Sequence, residues 1–230
     1  MIKNIVHVHG AWADGSGWEG VHKILTNRGY NVTVVNNPNT SLADDVRITK
    51  AVLSMQDGPT ILVGHSYGGA IITEAGDHPN VKALVYVAAF VLDKGESLFK
   101  LLKDAPPDPN SPILPPSEGF IWLDRNKFHA NFCADVPASK AKFMADCQVP
   151  VGLAAFNSDL TVAAWKTKKS WYIVATEDKM IPPDAERGMA KRANAQVTEI
   201  KASHAVYISH AAEVAEVIKK SAAMKVGEPA

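Results

Sequence analysis

Cysteine is scarce in this chain. Cys133 and Cys147 are the only two in 230 residues, and they do not form a Cys-x-x-Cys spacing. A cysteine-stapled scaffold is excluded, and a reducing compartment, the cytoplasm, is the expectation, with one disulfide left open. Net charge is absent too: 24 Lys and Arg stand against 24 Asp and Glu. No field of one sign draws the chain to nucleic acid or to an anionic membrane surface. No apolar run approaches the ~20 residues of a membrane helix. The Met1-Ile2-Lys3-Asn4 start shows no basic segment ahead of a long apolar stretch, so no signal peptide is expected. His-Glu-x-x-His and clustered ligand spacings are missing, and no metal is expected. What the chain does have is apolar residues, 47% of the total, ample for one α/β domain with an insertion.

Strand-like and helix-like patterns alternate at short spacing through residues 1–96. Residues 5–8 read as a buried strand leading into His9-Gly10-Ala11-Trp12. Trp18, Val21, Ile24 and Leu25 fall at helical spacing, and Gly29 closes that helix. Residues 30–35 form the next strand. Ser41 is placed to cap a helix carrying Leu42, Val46, Thr49, Val52 and Leu53. Two further buried strands follow, over 60–63 and 81–87, with a helical segment over 70–75 between them. The rhythm then fails from Ser97 to about Ser170. Six prolines lie within 106–116, and six of the seven phenylalanines fall in this region, joined by Trp122 and Trp165. It reads as a mostly helical cap over 97–169, inserted into a core made of 1–96 and 170–230. The rhythm resumes with a strand at 171–175, a helix from Asp184 to about Arg192 and a strand at 196–200. A loop at 202–205 leads to a last helix striped by Val214, Val217 and Ile218. The tail from Lys225 reads as frayed. Such alternation predicts a mostly parallel sheet with helices on both faces.

The strand over 60–63 runs into Gly64-His65-Ser66-Tyr67-Gly68, the Gly-x-Ser-x-Gly of a sharp strand-to-helix turn. Backbone passes close to Ser66 in such a turn, and Gly64 and Gly68 have no Cβ to clash. Ser66 then stands at a helix N-terminus, where the dipole favours developing negative charge. A serine hydroxyl is a poor nucleophile at neutral pH. It needs a histidine to take its proton and a carboxylate to hold that histidine. Asp178 and His204 each follow a predicted strand, so with Ser66 they collect on the carboxyl edge of one sheet, where open α/β sheets bind ligands. Glu177 competes with Asp178 but points elsewhere if the turn is extended. His210 falls within the last helix and reads as a surface residue. His65 reads as a packing or hydrogen-bonding residue, and His9 as structural.

A second glycine pattern, Gly15-Ser16-Gly17-Trp18-Glu19-Gly20, matches the dinucleotide fingerprint only superficially. Several residues separate it from the first strand, and the second strand ends in Asn36-Asn37 rather than an acid. No cofactor is expected.

The pieces Val8-His9-Gly10-Ala11-Trp12, Gly64 to Gly69, Tyr172 to Pro182 and Ser203-His204 together resemble the α/β-hydrolase superfamily. They are most similar to its small branch of plant methylesterases, hydroxynitrile lyases and bacterial esterases. The likeness spans nearly the whole core and is weak in the cap. It implies a sheet of about six strands, with Ser66 as nucleophile, Asp178 as acid and His204 as base. It also implies an oxyanion hole from the Ala11 and Tyr67 N–H groups. Cap aromatics Phe120, Trp122, Phe128, Phe132 and Phe156, with Trp12, are expected at the substrate pocket. The function implied is hydrolysis of a small, largely uncharged carboxylic ester. Two alternatives stand beside it: a hydroxynitrile-lyase-type C–C lyase, and a non-catalytic binding protein. The lyases resembling this chain carry threonine where Gly10 stands and lysine where Ala205 stands. Oligomeric state is left open, a homodimer being one option.

Overall fold

The structure, a computed structural model, describes residues 1–103 and 109–224. Pro106, Pro107 and the tail from Lys225 lie outside them.

Six parallel strands form one sheet in the order β2-β1-β3-β4-β7-β8. They are β1 (Asn4–Val8), β2 (Asn31–Val35), β3 (Thr60–Ser66), β4 (Val81–Ala89), β7 (Lys169–Ala175) and β8 (Gln196–Ile200). Alternate residues of each inner strand feed two separate cores, as the pleat requires. Val6, Leu62, Leu84, Tyr86, Tyr172 and Val174 face one side. Ile5, Ile61, Val63, Val85, Trp171 and Ile173 face the other. Helices α2 (Leu42–Ser54), α3 (Gly68–Ala75) and α8 (Pro183–Arg192) cover the first face through Leu53, Ile71, Ile72 and Met189. Helices α1 (Glu19–Thr26) and α10 (Ala211–Ala222) cover the second through Val21, Leu25, Val214, Val217 and Ile218. Burial on both faces explains why the inner strands read as continuous apolar runs. The edge strands β2 and β8 carry Asn31, Thr33, Gln196 and Glu199 and are partly exposed. Ser41 caps α2 as expected, its hydroxyl accepting the Asp44 N–H at 3.1 Å.

Between β4 and β7 the chain leaves the sheet. Among the described residues, four helices follow there: α4 (Leu98–Leu102), α5 (Arg125–Phe132), α6 (Ala138–Asp146) and α7 (Leu153–Asn157). The segment also holds an antiparallel ribbon of β5 (Phe120–Ile121) and β6 (Val151–Gly152). Two-residue strands leave no period to read, and the sequence pattern did not disclose them.

The last helix departs from expectation. It is split into α9 (Val206–Ser209) and α10, with His210 in the break rather than inside a helix. Ser209 and His210 both turn to Asp135 of the inserted segment, the Ser209 hydroxyl donating at 2.9 Å and His210 Nδ1 lying 3.7 Å away. Cys133 is buried, Cys147 is exposed, and both are free.

Candidate active site

Because all six strands are parallel, their carboxyl ends share one edge, and every predicted catalytic side chain follows a strand that ends there. Ser66 closes β3 with φ +54°, in the left-handed region that a residue with a Cβ seldom enters. Such strain concentrates at functional turns. The turn is tight enough that a Cβ on Gly64 would lie 2.5 Å from the Gly68 carbonyl oxygen. The Phe90 N–H, at the end of β4, donates to the Ser66 carbonyl at 3.1 Å and braces it from the next strand.

Asp178 lies three residues beyond β7 and His204 four beyond β8. His204 Nδ1–H donates to Asp178 Oδ2 at 2.6 Å, and neither side chain has any solvent exposure. Asp178 Oδ1 accepts the N–H groups of Met180, at 2.6 Å, and Ile181, at 2.9 Å. Those bonds orient the carboxylate and leave Oδ2 for the imidazole. With Nδ1 carrying the proton, Nε2 is the basic nitrogen; it is buried and meets no partner among the described residues. Glu177 is turned away toward Lys201, at 3.6 Å.

The loop after β1 is held from several sides. His9 Nδ1–H donates to the Gly10 carbonyl at 2.9 Å, and His9 Nε2 accepts the Asn37 N–H at 3.1 Å. Burial keeps this ring below the usual histidine range, hence neutral. Asn39 Nδ2 also donates to the Gly10 carbonyl, at 3.3 Å. The Trp12 N–H and indole N–H bond the Val149 carbonyl at 2.9 Å and the Ile121 carbonyl at 3.0 Å, tying this loop to the inserted segment. Among the described residues, the Ala11 and Tyr67 N–H groups donate to no protein acceptor. The asparagines that end β2 thus anchor this loop. Gly17, part of the dinucleotide-like pattern, seats against the Tyr207 ring, where a Cβ would come within 2.7 Å.

The six aromatics expected at a pocket occupy different places. Phe132 packs edge-on against the His204 ring, 4.9 Å between centroids, and Phe128 stacks behind Phe132; both are fully buried. Phe156 is half-buried against the Trp12 ring. Phe120 and Trp122 are half-buried on the β5 ribbon. A cavity of about 270 Å³ opens beside Trp12, Met144 and Tyr207. Another of about 400 Å³ is walled by Phe90, Leu101, Leu102, Met180, Ile181 and Met189. Its Phe90 wall is the residue bonded to Ser66, and its Ile181 wall is bonded to Asp178.

His65 is a packing and hydrogen-bonding residue, as read from the sequence, whereas Asp135, Asp45 and Glu186 had no role in that reading. His65 Nε2–H donates to the His204 carbonyl at 2.9 Å, and burial holds its ring well below the usual histidine range. Asp135 accepts from the Ser203 N–H at 3.1 Å and from the Ser203 hydroxyl, while the Ala205 N–H bonds the Phe132 carbonyl at 3.0 Å. The inserted segment therefore grips His204 from both neighbours. Tyr67 OH donates to buried Asp45 at 2.7 Å. Glu186 is buried beneath Asp178 on α8. One signal for it was present: Met189 and Ala190, three and four residues on, make the buried stripe of that helix and place Glu186 on the inward face.

Fold and site define an α/β hydrolase: the alpha/beta hydrolase family matches residues 5–217, and the chain belongs to it. Among individual relatives, it is 30% identical to the carbendazim hydrolyzing esterase of Nocardioides sp. (strain SG-4G), over 76% of this chain and 80% of that protein. It is 28% identical to the pyrethroid hydrolase of Sphingobium wenxiniae, over 94% and 86% of the two chains. The crystal structure of a pyrethroid hydrolase from Sphingobium faniae JZ-2 superposes with a TM-score of 0.81 at 25% identity, covering 96% of this chain and 98% of that one.

Proposed function

We propose that this chain is a serine esterase acting on a small, largely uncharged carboxylic ester, with Ser66, His204 and Asp178 as its triad. The observation that carries this reading is the sealed Asp178–His204 bond, which leaves Nε2 as a free base on the edge where Ser66 stands. Esterase and hydrolase activities among the named relatives support it. His204 Nε2 takes the Ser66 proton as Oγ adds to the ester carbonyl. The tetrahedral oxyanion accepts from the Ala11 and Tyr67 N–H groups, which no protein acceptor engages among the described residues. Collapse expels the alcohol, which takes its proton from His204, and leaves an acyl group on Ser66. Water then adds to that acyl group with His204 again as base; collapse breaks the acyl–Oγ bond, Ser66 Oγ takes the proton back from His204, and the acid departs. Every bond made or broken is accounted for by these groups.

The neutral-substrate part rests on the apolar cavity beside Phe90 and Ile181. The one cation lining it among the described residues, Arg192, is engaged by Glu96 at 2.9 Å and by the Val91 carbonyl. The test is a graded panel of p-nitrophenyl and methyl esters. Neutral short and medium acyl groups should be turned over best, and esters bearing a free carboxylate or phosphate poorly. A strong preference for the anionic esters would overturn the substrate assignment.

A further inference from the structure

Glu186 sits in the first turn of α8 with no solvent exposure. A glutamate there ordinarily complements the helix dipole from the surface; this one faces the sheet. Its Oε2 accepts the Ala175 N–H at 3.1 Å, and Oε1, equally buried, meets no donor among the described residues. Among the described residues no cation bonds it, and Arg187 acts on it only through space, as the smallest of the influences on its carboxyl. Arg187, the next residue, is turned outward to Asp184 and Glu199. Tyr172, the titratable group of β7 beside it, spends its hydroxyl hydrogen on the Ala89 carbonyl, and Tyr86 of β4 bonds Thr73 instead. What remains opposite Glu186 is the Asp178 carboxyl, within hydrogen-bonding reach.

Two carboxylates facing each other away from water do not both ionise; one keeps a proton. Asp178 has the donors that stabilise a charge: Met180 N–H, Ile181 N–H and His204 Nδ1–H. Those fill three of about four acceptor positions on a carboxylate. Glu186 has a single N–H. The charge therefore resides on Asp178 and the proton on Glu186. Burial first, then the Asp178 charge and the bond to it, push the Glu186 carboxyl up to about 11.

We propose that Glu186 is a positioning residue: a neutral carboxylic acid whose O–H donates to Asp178, fills its last acceptor position and fixes the carboxylate in line with His204 Nδ1. This rests on reading Ser66, His204 and Asp178 as the triad. The proton stays on Glu186 throughout turnover. Its effect passes through the Asp178 orientation and the strength of the Asp178–His204 bond, because a carboxylate that accepts one more hydrogen bond pulls less strongly on the imidazole.

Two substitutions separate this from simple space filling. In Glu186→Gln the carboxamide N–H can donate to Asp178 while its oxygen still accepts from Ala175. Glu186→Leu keeps bulk without a donor. The Gln variant should hold kcat within about threefold of wild type with an unchanged kcat/KM–pH profile. The Leu variant should lose about tenfold in kcat, the size of one lost charge-assisted bond, with KM little altered. Its acid limb should move to higher pH, since an under-bonded Asp178 favours the protonated imidazole. A Leu variant with wild-type kcat and profile, or a Gln variant as impaired as Leu, would overturn the proposal. The proton itself has a readout independent of turnover. The infrared carbonyl band of a protonated carboxylic acid should be present in wild type at neutral pH and absent in Glu186→Gln. If that band is missing from wild type, Glu186 is not the donor, even should Ser66→Ala confirm the triad. If the band is present while Ser66→Ala stays active, the carboxyl pair stands and the triad reading fails.

Discussion

Gly10 and Ser66 are in such close contact that a Cβ on Gly10 would lie 2.7 Å from Ser66 Cβ and 2.8 Å from the His65 carbonyl oxygen. The loop that offers the Ala11 N–H approaches Ser66 this closely only because residue 10 is glycine. A threonine there, as in the hydroxynitrile lyases this chain resembles, would push the loop away. Ala205 is buried and supplies no cation for departing cyanide. Gly10→Thr should therefore lower ester turnover by about 10²-fold, the size of a lost oxyanion donor. Neither it nor wild type should release cyanide from mandelonitrile above the buffer rate. Cyanide release by wild type that exceeds ester turnover and disappears in Ser66→Ala would reverse the assignment.

Ser66 should be the one residue labelled stoichiometrically by a fluorophosphonate, as intact mass and peptide mapping would show. Ser66→Ala should retain only the residual rate that binding and the oxyanion donors supply, on the order of 10³-fold or more below wild type. Full activity in that variant would exclude the acyl-enzyme route.

Asp178 and Glu177 are neighbours with opposite surroundings. The first is sealed against His204, and the second reaches Lys201 at the surface. Asp178→Asn should lower kcat on the order of 10⁴-fold by favouring the wrong imidazole tautomer. Glu177→Gln should change kcat less than about twofold, as expected of an exposed pair. Steady-state kinetics on one good ester decides between them, and a reversed result would move the acid by one residue.

Asp45 couples the elbow to α2. Burial pushes its carboxyl up to about 6 from 3.8, against the bonds from Tyr67 OH and the Asn39 N–H that pull it down. Its folded value lies above its unfolded value, so its contribution to stability is complete below about pH 4 and is lost as pH rises through about 6. Asp45→Asn removes that titration. Thermal melts from pH 4 to 7 should show wild type losing ground to the variant, by up to about 3 kcal/mol across the window. Parallel curves would show that Asp45 is ionised throughout.

Asp135 lies far from the triad in sequence, yet it holds the Ser203 backbone, one residue from His204. Asp135→Ala should reduce kcat about tenfold, since it frees the segment that carries the base, and should cost about 1 kcal/mol of global stability because the bonds lost are confined to that segment. Hydrogen exchange should rise at residues 203–210 alone. Unchanged exchange and kcat would mean that Phe132 alone is enough to hold the loop.

Much of this architecture is legible in local patterns. The inner strands are recognisable because burial on both faces demands unbroken apolar runs, as in residues 61–63 and 83–87. The elbow is recognisable because only glycine fits at 64 and 68, and the order Ser66, Asp178, His204 follows from strands whose ends share one edge. The break at His210 was not legible, because its cause, Asp135, is 75 residues away. The aromatic set was legible as a cluster but not in its parts. Phe132 and Phe156 are the same residue type in the same inserted segment, yet one packs on His204 and the other on Trp12.

The sequence by itself determined the parallel sheet and the serine at a sharp strand-to-helix turn, since each depends on residue type and spacing within a few positions, and it offered Asp178 and His204 as the acid and base expected after the later strands. Only the tertiary structure decided the surroundings of those groups: His65 under the His204 carbonyl, Asp135 and Phe132 on either side of it, and Glu186 against Asp178. Each is a contact between elements distant in the chain, and its chemistry depends on burial that spacing does not encode. A glutamate eight residues after an aspartate is an ordinary surface pair until the fold takes the water from between them.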